Sequence, residues 1–337
     1  MPIGRREFLK ATSAAAFASV VHHSHADASQ RAAGVHIGDA RYQPVRDYPI
    51  RPQRYSDVRL SDAFWKPKVD LNAAVTIPVE VRKYIEGERE FGGNVLEAAI
   101  LSLKTHPNSV LQGQVDAQVR AMAQSPARGN GGFEVAATLL TATGDRSLVD
   151  RAIETADALY QEFATKNPPF SGGERDAVNC VQLYRVTHDR KHLDLAKHYL
   201  DIRGLENSVN RSRHNQSYKP VLDQREAVGH AVNCATLMVS LADVGVLTGL
   251  TEYLATAERL WADAIERKLY ITGGVGTTGN EGFGEPYALP NLSAYSETCA
   301  VLMFMTLNHR LFLATGDSRY VDVAAEYSYH VVAGLEL

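Results

Sequence analysis

Two stretches of this chain concentrate side chains able to do chemistry. The richer one, Tyr270 to Tyr287, carries six glycines, Gly273, Gly274, Gly276, Gly279, Gly282 and Gly284. So many glycines cannot continue a helix, and the Lys-Ser/Thr ending and preceding strand of a phosphate-binding loop are absent. The backbone here is built to bend. Glu281, with glycines around it that shield little, is placed to project a carboxyl into a cleft, as a general acid for a glycosidic oxygen must. A solvated loop carboxylate would leave the same sequence. Shortly after it, Ala294-Tyr295-Ser296-Glu297-Thr298-Cys299-Ala300 runs into an apolar helix from Val301 to Leu307. Glu297 and Cys299 offer a hard oxygen and a soft thiolate from one turn, which is half of a metal site. Two donors do not complete one, and no second cysteine lies near the motif in sequence.

The other stretch runs from Asn210 through Arg213-His214-Asn215-Gln216-Ser217-Tyr218 to Asp223-Gln224-Arg225-Glu226-Ala227-Val228-Gly229-His230. Its density of hydrogen-bonding groups suits polyols, because a sugar hydroxyl taken from water without a partner costs about 1–3 kcal/mol. His230 opens a helix whose next residues include Val232, Ala235, Leu237 and Met238. At that place a histidine is either a satisfied core residue or a site residue.

The elements that must position these loops are helices. At 337 residues, with 45% hydrophobic and 22% charged residues, the chain has globular composition and the length for a sizeable core. Four corners share a pattern: Thr143-Gly144-Asp145, Thr187-His188-Asp189, Thr248-Gly249 and Thr315-Gly316-Asp317, each followed by an apolar residue and an alanine. This internal repeat reads as helix hairpins, each helix ended by a left-handed cap. The uneven spacing of the corners suits an all-α toroid of hairpins, with loops at one end building the site, better than a fixed-period solenoid. Before the helices, Asp57 to Trp65 alternates apolar and polar residues and predicts a short strand feeding a buried tryptophan.

The beginning differs. Arg5-Arg6 precedes a small-residue apolar run, Ala11 to Val21, and then Ala26-Asp27-Ala28, the pattern of a Tat-type signal over residues 1–28. Periplasmic or secreted location is the expectation. The run falls short of the roughly 20 residues a bilayer span needs, so no stable membrane anchor is expected. Residues 29–52 are polar and aperiodic and read as a linker or extended lead-in. The net charge of -4, with both signs interspersed, argues against nucleic acid as a partner. Cys180, Cys234 and Cys299 are few and far apart, so a disulfide framework is not indicated.

Several spaced motifs occur in one order: Gln224-x-Glu226-Ala-Val-Gly-His230, Tyr270-Ile-Thr-Gly-Gly-Val-Gly, Gly279-Asn-Glu281-Gly-Phe-Gly, Leu289-Pro-Asn291 and Tyr295-Ser-Glu297-Thr-Cys299-Ala. Together they resemble glycoside hydrolase family 127, from about Asp57 to the C-terminus. The resemblance implies an (α/α)6 barrel over residues 53–337, followed in relatives by β-sandwich domains. It implies retaining hydrolysis of β-L-arabinofuranosides through a cysteine nucleophile held on zinc. By position, Glu281 matches the general acid/base, Glu297 and Cys299 match two zinc ligands, and His230 matches a substrate-contacting histidine. Gln216, Gln224 and Tyr295 complete the expected substrate-binding set, and the expected partner is a small-molecule or oligosaccharide arabinofuranoside. The sequence also departs from the family. The adjacent cysteine pair that supplies the nucleophile does not occur before Leu337, so the chain reads as truncated. The segments 129–134 and 171–176 stand where arabinofuranosidases carry substrate-binding histidines.

Three readings follow: a zinc-dependent retaining hydrolase, an inactive or carbohydrate-binding remnant of one, and a metal-free hydrolase working with two carboxylates such as Glu281 and Glu297.

Overall fold

The computed structural model describes residues 35–38, 41–87, 92–125, 132–325 and 327. The signal expected over 1–28, part of the 129–134 segment and the last residues, 328–337, lie outside these. The helices are α1 (Trp65–Leu71), which runs through a π-helical turn at Asn72–Thr76 into α2 (Ile77–Ile85), then α3 (Gly92–Thr105), α4 (Ser109–Gln124), α5 (Phe133–Thr143) and α6 (Val149–Lys166). They continue as α7 (Asp176–Thr187), α8 (Arg190–Ile202), α9 (Ala231–Thr248), α10 (Thr251–Arg267) and α11 (Thr298–Thr315). Among the described residues only isolated β-bridges occur beside them.

Alternate helices form the two layers of an α/α barrel. Within the chain, α3, α5, α7, α9 and α11 pack side by side in that order, and α4, α6, α8 and α10 each pack on the inner helix before them. The sequence of each layer explains its place. Inner helix α9 is apolar on every side and is buried from Ala231 to Thr248 over most of its length, as a helix surrounded by neighbours must be. Outer helix α10 buries Tyr253, Thr256, Ala257, Leu260, Trp261 and Ala264, a stripe at i, i+3, i+4 spacing, and leaves Glu252 exposed.

The repeated corners are the devices that reverse the chain. Thr143, Thr187, Thr248 and Thr315 each end an inner helix, and each hydroxyl donates back to a carbonyl one turn earlier, at 2.7, 2.9, 2.6 and 2.8 Å. The same hydroxyls accept from the backbone N–H two residues on, at 3.1 to 3.3 Å. Between them sits a left-handed residue, Gly144, His188, Gly249 or Gly316. Where Asp follows, at 145, 189 and 317, its carboxylate accepts from the N–H two residues further along, and Asp189 thereby caps the N-terminus of α8. These short corners gather at one end of the barrel. The long loops therefore all fall at the other end, where α3, α5, α7, α9 and α11 begin.

Two expectations about the N-terminal part are corrected. Asp57–Trp65 forms no strand: a 3-10 turn at Tyr55–Asp57 is followed by extended chain. The Asp62 carboxylate then takes the N–H groups of Phe64 and Trp65 at 2.9 and 2.5 Å and starts α1. With no partner strand to satisfy, a local cap wins over alternation. Trp65 is exposed, edge-on to Phe64 at 5.1 Å. Residues 41–50, expected in a linker or extended lead-in, run without regular structure and are fastened to the barrel. Tyr42 donates to Asp194 at 2.6 Å and Tyr48 to Asp243 at 2.8 Å. Val45 N–H bonds Leu247 O and Ile50 N–H bonds Leu313 O, so this strap crosses the corner end of α9 and α11.

Candidate active site

The site gathers at the start of α9 and α11. His230 is the N-cap of α9, and Glu297 is the N-cap of α11. The glycine-rich loop is fastened between them. Ala231 N–H donates to Glu281 O and Phe283 N–H to Gly229 O, both at 2.9 Å, an antiparallel bridge that pairs His230 with Gly282. Ser296 N–H donates to Gly276 O at 2.9 Å and ties the third segment to the same loop. The glycines let the backbone turn tightly around the first turn of α9. At the crest of that turn Glu281 itself takes a left-handed conformation, φ 64°, a cost that a non-glycine residue bears only where its surroundings impose it.

This backbone brings four of the expected side chains together. Glu281 Oε2 is hydrogen-bonded to His230 Nε2, and Tyr295 Oη donates to Glu281 Oε1 at 3.0 Å. One ligating atom each of His230, Glu281 and Glu297 lies within 4.8 Å of the other two. The two carboxyls have opposite tendencies. The Tyr295 hydroxyl, then His230, hold Glu281 below the ordinary glutamate range. Burial, then the charge of Glu281, push Glu297 above it. A proton added to the pair is thus favoured on Glu297 and disfavoured on Glu281.

Other expected residues stand elsewhere. Gln216 and Gln224 do not reach the cleft: both are buried, at 0% and 1% exposure. The Gln216 amide donates to the carbonyls of His214 and Val228, and the Gln224 amide to those of Gln216 and Lys219. They shape the 210–230 loop from beneath, because a buried backbone carbonyl must find a donor. Cys299 is exposed and outside the His230, Glu281 and Glu297 group. Cys180 and Cys234 are core residues, and burial pushes the Cys234 thiol up to about 12, which makes it an inert thiol.

One histidine goes beyond the expected set. His214 lies edge-on to His230 with ring centroids 5.4 Å apart, its carbonyl accepts from His230 N–H at 2.9 Å, and its charge helps lower Glu281. In sequence it is one polar residue in a polar loop. Only the fold selects it.

The match to known proteins fits this geometry. Residues 133–337, more than half of the chain, match the family model described as β-L-arabinofuranosidase, GH127 catalytic domain. A non-reducing end β-L-arabinofuranosidase of Bifidobacterium longum subsp. longum is 28% identical, the alignment covering 61% of this chain and 35% of that protein. The solved structure of a GH127 β-arabinofuranosidase superposes with a TM-score of 0.74 at 29% identity, over 85% of this chain and 55% of the other. A GH127 β-L-arabinofuranosidase from Geobacillus stearothermophilus T6 shares the fold, with a TM-score of 0.72 at 23% identity over 81% and 55% of the two chains. The chain thus spans from about a third to about half the length of these relatives. The α/α barrel, the order of its motifs and the match over residues 133–337 place this chain in glycoside hydrolase family 127, the β-L-arabinofuranosidase-like family.

Proposed function

We propose that this site belongs to a retaining β-L-arabinofuranosidase in which Glu281 is the acid/base. The observation that carries the reading is the convergence on one cleft of Glu281, its two hydrogen-bond partners His230 and Tyr295, and the second carboxyl of Glu297. Protonated Glu281 gives its proton to the glycosidic oxygen as the bond to C1 breaks. As a carboxylate it then takes a proton from the water that releases the sugar. Its resting, ionised state suits the second half of that cycle. For the first half the proton must come from a neighbour, and His230 and Glu297 are the groups within reach.

Glu297 and Cys299, at the start of α11, are the residues that would hold the zinc implied by the family, Cys299 being exposed; a metal there would supply thiolate and Lewis-acid chemistry. No step is routed through a metal here. The two-carboxylate alternative would have Glu297 attack C1 to form a glycosyl ester, which water then hydrolyses. It needs Glu297 ionised and Glu281 protonated, the reverse of the directions in which their surroundings push them.

The test is hydrolysis of an aryl β-L-arabinofuranoside. Glu281→Gln should lower the rate by about 100-fold or more, and a parent-like rate in that variant would remove Glu281 from the mechanism. Repeating the assay with a chelator separates the readings: lost activity supports zinc, and retained activity supports the carboxylate pair. Tat-type export, resting on Arg5-Arg6 and Ala26-Asp27-Ala28, belongs to the same proposal.

A further inference from the structure

The loop before α9 and the glycine-rich loop meet over a buried ion pair that takes no part in the proton transfers. Lys268 is the C-cap of α10, where that helix gives way to the glycine-rich loop, and Asp263 lies in the last turns of the same helix. The two side chains are 4% and 5% exposed and stand 3.2 Å apart. Together they hold one residue of the other loop from both sides. Lys268 Nζ donates to Ala227 O at 2.6 Å, and Asp263 Oδ2 accepts from Ala227 N–H at 2.9 Å. Ala227 is fully buried and lies three positions before His230.

The same ammonium also reaches the loop that carries Glu281. It stands 5.6 Å from the centroid of the Phe283 ring, within the range of a cation–π contact, and Phe283 rests edge-on against Phe304 of α11 at 6.2 Å. The backbone of that phenylalanine belongs to the crossing of the two loops: Phe283 N–H donates to Gly229 O, and Ala231 N–H to Glu281 O, both at 2.9 Å. The far end of the glycine-rich loop returns to α10 as well, where Tyr287 N–H donates to Arg267 O at 2.8 Å. The ion pair therefore grips both chains at the point where His230 and Glu281 are brought together. In net stability a buried ion pair gains little over apolar residues of the same volume. What it adds is direction, because two charge-assisted hydrogen bonds to one residue leave its backbone little freedom to turn.

We propose that Lys268 and Asp263 are positioning residues for the acid/base: acting through Ala227 and Phe283, they set where the Glu281 carboxyl stands against His230. The inference rests on the reading of Glu281 as the acid/base. Its consequence is one of orientation. A carboxyl displaced by a fraction of an ångström leaves the groups that bind the sugar in place but delivers its proton along the wrong line, which lowers kcat and spares KM.

The experiment compares the parent with Lys268→Met and Phe283→Leu, with melting curves to show which variants are folded. At fixed pH, nitrogen NMR of the imidazoles should show the His230 Nε2 resonance of Lys268→Met displaced from its position in the parent, where Glu281 is its hydrogen-bond partner. On an aryl β-L-arabinofuranoside the same variant should lose about tenfold or more in kcat, with KM within about twofold of the parent. Phe283→Leu removes the ring from the ammonium and leaves the ion pair whole, and should move the same resonance in the same direction. A His230 resonance at the parent position in folded Lys268→Met, or a raised KM with kcat unchanged, would reduce the pair to a structural role and overturn the proposal. Should Lys268→Met fail to fold, an unmoved resonance in Phe283→Leu would overturn it instead. A parent without hydrolysis would count against the acid/base reading, while the His230 resonance would still decide whether the pair holds Glu281 in place.

Discussion

Glu281 is the residue on which the site turns, and its neighbours decide when it carries a proton. Because the Tyr295 hydroxyl is the first cause of its lowered pKa and His230 the second, removing that hydroxyl must raise the value. Tyr295→Phe should therefore move the Glu281 titration to higher pH, measurable by carbon NMR of the glutamate side chains. The acid limb of any activity profile should move the same way, since the carboxylate form is then reached only at higher pH. An unmoved or lowered titration would mean that the 3.0 Å contact does not stabilise the carboxylate. The left-handed φ of Glu281 belongs to the same scale: the loop holds this side chain in a costly conformation, as sites do when direction matters more than local ease.

At the scale of elements, the site depends on how the first turn of α9 is gripped. Gly229 makes that grip possible. Its φ is 71°, and a Cβ there would stand 2.0 Å from Arg213 O and 2.5 Å from His214 O. Gly229→Ala should cost at least about 1–2 kcal/mol from the backbone conformation alone, with more from the clash. It should also push the 213–216 loop away and loosen the contact of His230 with Glu281. A lowered melting temperature together with a changed His230 imidazole NMR signal would show both effects, and a variant as stable as the parent would refute the close approach. Lys268 and Asp263 brace the same loop from α10. The Lys268 ammonium, 3.2 Å from Asp263, donates to Ala227 O at 2.6 Å, and Asp263 accepts from Ala227 N–H at 2.9 Å.

Across the whole described barrel, the corner end is locked by charge as well as by apolar packing. Asp243 of α9 is fully buried and takes hydrogen bonds from Tyr48 of the strap and Arg185 of α7, at 2.8 and 2.9 Å, with Arg310 of α11 at 3.4 Å. One carboxylate thus joins the strap to three consecutive inner helices. Asp243→Ala should destabilise the fold by about 3–5 kcal/mol, because two guanidinium groups would lose their buried counter-charge. Denaturant unfolding measures this, and a loss below about 1 kcal/mol, the worth of a surface pair, would show that the node is not a lock. The candidate site sits at the opposite end, so its groups can vary while the corners keep the helices in order.

Much of this was legible in the amino-acid order, and for a physical reason. A Thr-Gly-Asp corner is a local device whose hydroxyl, left-handed cap and carboxylate act within a few residues, so it could be read without the fold. The apolar character of α9 and the glycine-rich bend before Glu281 are local in the same sense. What the tertiary structure decided are the relations between distant residues. His230 meets Glu281 across 51 positions. Gln216 and Gln224 spend their amide N–H groups on the loop beneath the cleft, and the lead-in segment closes the corner end. Composition names the groups able to hydrogen-bond, but which of them face ligand and which satisfy buried backbone depends on the packing of helices far apart in the chain.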